Sequence, residues 1–510
     1  MRTWKERLPA RARQAVVAGV AIAATSISLV AWAVASPVGA SPDDDFHLIS
    51  AWCASGDPAN CLPGDTENSR VVPPALAQAS CFAFNPATSA SCQGELLVSG
   101  SAPTIPTTRG NFDGTYPPAF YAVAGLLAHP DIPAAVIAMR ILNALLLVVL
   151  ATVVLAFLPP QLRGVTALGW LITAVPLTIF VVPSNNPSSW AFTGVLILVP
   201  ALIGAWETHG RHRAILMACF VVASGMAMGA RADAALFAAF LAGLITVVRA
   251  RPLASARWWL LAPSVVIAVG ALVVVTSGQS HDSADGLEDP AGAGQAQGSG
   301  AGGLGLLGYN LLHLPSLWIG GFGWTGLGWL DTPMPSLVAV ATLAAFVGVV
   351  FVNLRALGTA HWVALASVAL LLTVVPLYVL QRGGDFVGMN VQPRYIWPLV
   401  IAFGLLAVIR ADHRWLLNGR GQLGIVGLAI SLAHSVALYA NLRRYVKGTD
   451  AASVLLGDNA EWWWSRAVVG PDVVWALGSV AFAIATAVAL VAYWRAMRFT
   501  PGAVLPASRG

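Results

Sequence analysis

The stretch Ser41-Pro42-Asp43-Asp44-Asp45-Phe46-His47 places three consecutive carboxylates and an imidazole directly after the first long apolar run. Ser41 suits a helix N-cap, Pro42 the first helical position, and Asp44 the capping-box position. On such a helix Asp43 and His47 stand four apart and share one face. A carboxylate beside an imidazole can serve as a general acid/base pair. Acidic residues in a first turn also simply suit the helix dipole, so the rest of the chain must decide between chemistry and a helix start.

Other residues suited to chemistry are scattered widely. Arg231, Arg382 and Arg394 are cations in short turns, and the guanidinium fork matches phosphate bidentately. Tyr116, Trp324, Trp329 and Tyr395 offer stacking surfaces. A carboxylate base, a phosphate clamp and aromatics beside lipid suit transfer from a lipid-linked phosphate donor to a hydroxyl acceptor. Each arginine can equally be an interfacial anchor or the partner of a nearby Asp, and Arg231 and Asp233 share one tight turn. Asn185 and Asn186 read as turn formers. Asp331 reads either as a cap before Pro333 or as a second acidic site residue.

The elements that must position these groups are membrane helices. The chain of 510 residues is 57% hydrophobic and 10% charged, with a mean hydropathy of +0.73. Apolar runs of about 20 residues recur along its length and give an all-α polytopic membrane protein with about 12 transmembrane helices. The first crosses at 14–36. Helices two to seven fill 132–276, helices eight to eleven 336–440, and the last 472–494. Helices three, five and ten of this set are expected at 165–182, 214–230 and 396–409. The 19 tryptophans fit interfacial belts. The net charge of +5 comes from basic residues spread over short loops, which argues against a nucleic-acid partner.

Of the five cysteines, Cys219 lies in an apolar run and reads as a packed thiol. Cys53, Cys61, Cys81 and Cys92 share one polar segment, where the local pairing Cys53–Cys61 and Cys81–Cys92 is preferred among the three available. Paired cysteines place that segment in an oxidising, extracytoplasmic space.

Loops follow from the spans. Residues 1–13 are basic and mark a cytoplasmic N-terminus. Residues 37–131 form a large outer loop, ending in a short apolar stretch at Tyr116–Ala128 expected to lie in the membrane interface. The segment 277–335 is expected to be disordered to Gly303 and re-entrant or interfacial beyond it. A third outer loop covers 441–471, and the tail 495–510 is cytoplasmic. This places most of the 28 Lys and Arg inside and nearly all of the 23 Asp and Glu outside, at a plasma membrane. Arg443, Arg444 and Lys447 break the pattern; they either meet anionic headgroups or mark a misplaced late span.

A first helix, a large outer loop opening with acidic residues, and a dozen or so spans resemble the GT-C class of polytopic membrane glycosyltransferases. Several stretches are more closely similar to an uncharacterised family of predicted membrane proteins, domain of unknown function 2142. Its Pro-Asp-Glu-Pro-x-His motif matches Pro42, Asp43, Asp44, Asp45, Phe46 and His47, with Asp44 in place of Glu and Asp45 in place of the second Pro. Its Pro-Pro-x-x-Tyr, Gly-Trp-Leu-Asp-Thr and Gln-x-Arg-Tyr stretches match Pro117–Tyr121, Gly328–Thr332 and Gln392–Tyr395. The resemblance implies an extracytoplasmic glycosyltransferase taking a polyprenyl-phosphate sugar as donor and a cell-envelope glycan as acceptor. It makes Asp43 and Asp44 the candidate bases, with His47 orienting or binding metal. Asp45, Arg231, Asp331, Arg382, Gln392, Arg394 and Tyr395 become candidate substrate-binding residues. Some GT-C enzymes require a divalent metal ion, which is therefore a candidate cofactor.

Two other classes compete. A transporter or flippase of lipid-linked glycan needs ionisable or broken-helix sites near the midplane, often in repeated halves; Arg140 is the clear in-span charge, and no internal repeat is visible. It should face protein or water and find a partner. A non-catalytic envelope-assembly protein would use the outer loop for binding alone.

Overall fold

A computed structural model describes residues 10–57, 61–94, 96–97, 104–249, 257–280, 303–355, 357–410, 417, 419–464 and 468–499. The expectations for the first residues of the N-terminus, for most of the 277–303 segment and for the end of the tail lie outside them. The described chain is mostly helical. Helix α1 (Ala10–Val34) leads to α2 (Asp44–Ala54), α3 (Pro74–Gln78), α4 (Ala119–Gly125), α5 (Ile132–Phe157) and α6 (Pro160–Thr173). Then come α7 (Pro176–Val181), α8 (Ser188–Glu207), α9 (Gly210–Met228), α10 (Ala232–Arg249), α11 (Leu261–Thr276) and α12 (Leu304–Ile319). The last are α13 (Ser336–Asn353), α14 (Thr359–Gly383), α15 (Pro393–Val408), α16 (Arg420–Lys447) and α17 (Pro471–Phe499).

Among the described residues, nine helices are long and apolar enough to cross a membrane, so this is a multi-pass membrane protein with nine candidate spans rather than 12. The three spans expected at 165–182, 214–230 and 396–409 account for the difference. The first is broken, because α6 ends at Thr173 and a new helix starts at Pro176, whose ring cannot continue the ladder. In the second, α9 carries Arg211, His212 and Arg213 in its first turn, which leaves a short apolar remainder. The third, α15, has only 16 residues, fewer than the ~20 that a bilayer core demands.

Helix α8 is the centre of the bundle, buried from Ser188 through Trp206. It packs on α9, α15, α10 and α5. At Gly194 the chains approach so closely that a Cβ would lie 2.8 Å from the Ala223 carbonyl oxygen. Outward faces of other spans remain apolar and exposed, as at Val149, Val265, Val340 and Val347, which suits lipid as the outer solvent. Arg140 of α5 is buried, and its guanidinium donates to the carbonyl oxygens of Ala33, Ser36 and Pro37. It thus closes the open carbonyl end of α1 and finds the partner that a charge within a span needs.

The segment between α1 and α5 forms a cap on one end of the bundle. Strands β1 (Leu62–Pro63), β2 (Arg70–Val72) and β3 (Ile105–Thr107) make an antiparallel sheet in sequential order. Disulfides join Cys53 to Cys61 and Cys81 to Cys92, the local pairing, and Cys219 is free and buried. The apolar stretch Tyr116–Ala128 has one face turned inward, while Leu126 on it stays exposed. Phe120 and Tyr121 of α4 are buried, and α4 packs on α2 so closely that a Cβ at Gly125 would meet the Ala51 carbonyl at 2.6 Å. Beyond α12 the chain makes a wide turn at Gly320–Trp324 and a short bridge, Leu327 to Thr332, before α13.

Candidate functional site

The acidic stretch folds partly as its pattern suggests. The Asp44 carboxylate accepts the Ser41 N–H at 3.0 Å, the reciprocal bond of a capping box. Yet the helix begins at Asp44, not Pro42, because Asp43 takes a left-handed conformation, φ 57° and ψ 25°. Asp tolerates this region better than most residues, at some cost in strain. One consequence is that adjacent carboxylates diverge. Asp44 is wholly buried, whereas the Asp43 side chain keeps 36% of its exposure.

Asp43 Oδ2 accepts a hydrogen bond from Arg394 Nη2 in an ion pair. Pro393 starts α15, so Arg394 and Tyr395 occupy its first turn. A cation there adds to the positive end of the helix dipole, which makes this end a natural seat for an anion. Arg394 Nη2 also donates to the Tyr395 hydroxyl at 3.0 Å. Its Nε and Nη1 atoms are buried with no hydrogen-bond partner among the described residues. Buried donors are rarely left open. Tyr395 lies between two guanidiniums, with Arg394 5.0 Å and Arg231 4.7 Å from its ring centre. Arg231 also faces the Tyr116 ring at 5.6 Å. It does pair with Asp233, through two bonds of 2.9 and 2.7 Å, so it supplies fixed charge rather than an open fork. Burial works against ionised Asp43, but the Arg394 ion pair, with Arg109 nearby, outweighs it and holds its pKa below the ordinary value.

His47 lies one helical turn beyond Asp43, as expected, and its Nδ1 is 2.8 Å from the Tyr121 hydroxyl. It packs edge-on to Phe46 and Tyr116. Burial pushes its pKa down to about 3, so it is neutral near pH 7. The Tyr116 phenol is raised to about 12, mainly by burial. Asp44 is raised to about 7 by burial, opposed by Arg140, whose Nη2 is 3.9 Å away. Its second oxygen has no hydrogen-bond partner among the described residues. Asp45 makes two bonds to Arg109, of 2.8 and 3.0 Å.

The remaining candidates are divided. Gln392 precedes α15 and lines a narrow crevice with Arg394, Pro42 and Gly328. Arg382 is exposed in the last turn of α14. Asp331 is buried and accepts bonds from Arg444 Nη2 at 2.9 Å and the Phe84 N–H at 3.0 Å. Arg444, expected either to meet headgroups or to mark a misplaced late span, is an interior cation on a helix that continues to Lys447. Its neighbours Arg443 and Lys447 donate to carbonyls of the following loop, at Ala451, Leu455 and Asp458. Asn186 acts as the turn former expected of it, bonding the Ser188 N–H, and also ties the Pro42 carbonyl at 2.8 Å. Asn185 is buried with both amide atoms unpartnered among the described residues.

Sequence reasoning missed Arg109 and did not assign Tyr121 a partner. Nothing local marks Arg109, because its partner lies 64 positions away. Among the described residues no group of three or more His, Cys, Asp or Glu side chains converges as a metal site. What the cluster offers is one partly open carboxylate, one buried guanidinium with unused donors, and a wall of tyrosines.

The chain belongs to the family of predicted membrane proteins DUF2142, whose family model matches residues 27–403. That span holds Asp43, His47, Tyr121, Asp331 and Arg394, and stops before α16, which carries Arg444. No curated protein and no solved structure matches the chain.

Proposed function

We propose that this protein is a GT-C-type glycosyltransferase that moves a sugar from a polyprenyl-phosphate donor to a cell-envelope hydroxyl on the extracytoplasmic face of the plasma membrane. The observation that carries this reading is Arg394, a buried guanidinium with two unused nitrogens, held against the partly exposed carboxylate of Asp43. Unused charged donors at a helix start suit a phosphate. The carboxylate beside them suits removal of a proton from an acceptor.

In the reaction, the acceptor oxygen attacks the anomeric carbon and its proton passes to Asp43. The bond from that carbon to the phosphate oxygen breaks, and the electron pair leaves on the phosphate. Arg394 stabilises the developing charge, and Arg231 adds a fixed positive field beyond Tyr395. A phosphate on Arg394 loosens its hold on Asp43, which makes the carboxylate a better base once donor is bound. Asp43 is therefore the base in this scheme. Asp44, sealed from solvent and tied to Ser41, positions the turn. His47 and Tyr121 buttress the site. The two disulfides agree with an oxidising compartment on this side.

The test is transfer from radiolabelled polyprenyl-phosphate sugars to an envelope glycan by protein in lipid. The expected result is turnover by the parent and loss in Asp43→Asn with donor binding retained. A donor panel that binds yet is never transferred would leave a carrier or assembly protein in place of an enzyme.

A further inference from the structure

A large cavity among the described residues lies away from this cluster. It is a groove of about 1040 Å³ between α1, α5, α6, α8 and α17, and Asp43, His47, Arg231 and Arg394 do not line it. Its walls are apolar, with Val17, Leu155, Ala167 and Trp170 among them. Its two ends differ. Arg13, Arg163 and Arg495 stand at one, where α1 and α6 begin and α17 ends, and the described residues that line it include no Asp or Glu. Arg163 is fixed there by bonds from Nε and Nη2 to the carbonyls of Leu158 and Ala156. The far end reaches Leu29 and Val182. At a 1.5 Å rise per residue, Arg13 to Leu29 on α1 covers about 24 Å, most of a ~30 Å hydrocarbon core.

We infer that this groove is a binding site for an anionic diacyl phospholipid, with one acyl chain along the apolar walls and the headgroup phosphate among the three arginines. The charge is complementary: three arginines gather at one mouth, with no Asp or Glu among the described lining residues. The geometry is too: the polar mouth sits at a membrane surface while the slot runs toward the bilayer interior. A zwitterionic lipid would bring its own cation against these arginines and is disfavoured. The site is separate from the proposed transfer centre and stands whether or not transfer occurs.

The experiment is native mass spectrometry of the full-length protein, released from detergent containing phosphatidylglycerol and phosphatidylcholine in equal amounts. The expected result is one retained phosphatidylglycerol. Arg13 and Arg495 are exposed, so Arg13→Gln/Arg495→Gln leaves the fold intact and lowers the preference by about 30-fold, from roughly a fivefold contribution per arginine. Ala167→Trp, which fills the slot, abolishes retention. An unchanged unfolding midpoint in neutral detergent confirms that each variant is folded. Equal retention of both lipids by the parent, or parental preference in the double variant, overturns the inference. So does preferential retention of added polyprenyl phosphate.

Discussion

Replacing Arg394 with Gln tests the centre of the proposed site most directly. In the parent, Nη2 is committed to Asp43 and Tyr395, and Nε and Nη1 are buried and open. Hydrogen bonds involving a charged group contribute about 1.5–3 kcal/mol each. Two such bonds to a donor phosphate amount to about 3–6 kcal/mol, or a loss of about 10²- to 10⁴-fold in Kd for Arg394→Gln. Arg394→Lys keeps the charge but not the planar fork, and falls between. The assay is equilibrium binding of radiolabelled polyprenyl phosphate, with uncharged polyprenol as the control for the chain alone. Asp43 also loses its partner in Arg394→Gln, so Asp43→Asn/Arg394→Gln serves as the folded reference; the double variant should bind as poorly as the single one. A folded Arg394→Gln protein that binds polyprenyl phosphate as the parent does would refute the reasoning. So would a parent that binds polyprenol equally well.

Asp331→Ala should destabilise the protein by about 3–5 kcal/mol, because it leaves Arg444 buried and unpaired; unchanged thermal unfolding with lost donor binding would return Asp331 to the substrate site. His47 and Asp44 should give opposite pH slopes. With its folded pKa depressed to about 3, His47 contributes stability that is present above pH 6.5 and lost as pH falls. With its folded pKa raised to about 7, Asp44 contributes stability that is present below pH 3.8 and lost as pH rises. The two largely offset between those limits. His47→Gln should therefore make stability fall with rising pH, and Asp44→Asn should make it rise, each by up to about 1.4 kcal/mol per pH unit. A parental pH profile of the unfolding midpoint in both variants would contradict the burial argument.

Membrane class, helical content and the disulfide pairing were legible in the chain because each rests on local properties. Apolar run length, proline position and cysteine spacing act within a few turns. The Ser41–Asp44 bond was legible for the same reason. The limits were local as well: Pro176, the basic first turn of α9 and the shortness of the apolar run of α15 are all visible in the chain, and together they separate 12 spans from nine.

Roles within the site were decided by the tertiary structure. The triplet Asp43-Asp44-Asp45 looks interchangeable in sequence. The left-handed turn at Asp43 sends the three carboxylates to three different arginines, Arg394, Arg140 and Arg109. Asp43 and Arg394 are 351 positions apart, and no local pattern encodes such a meeting. Asp331 and Arg444, each plausible at a surface, became a buried pair because α16 carries its last turns into the cap. Helix crossings place charges beside partners remote in the chain, and burial then fixes which of them must pair and which can remain open to a ligand.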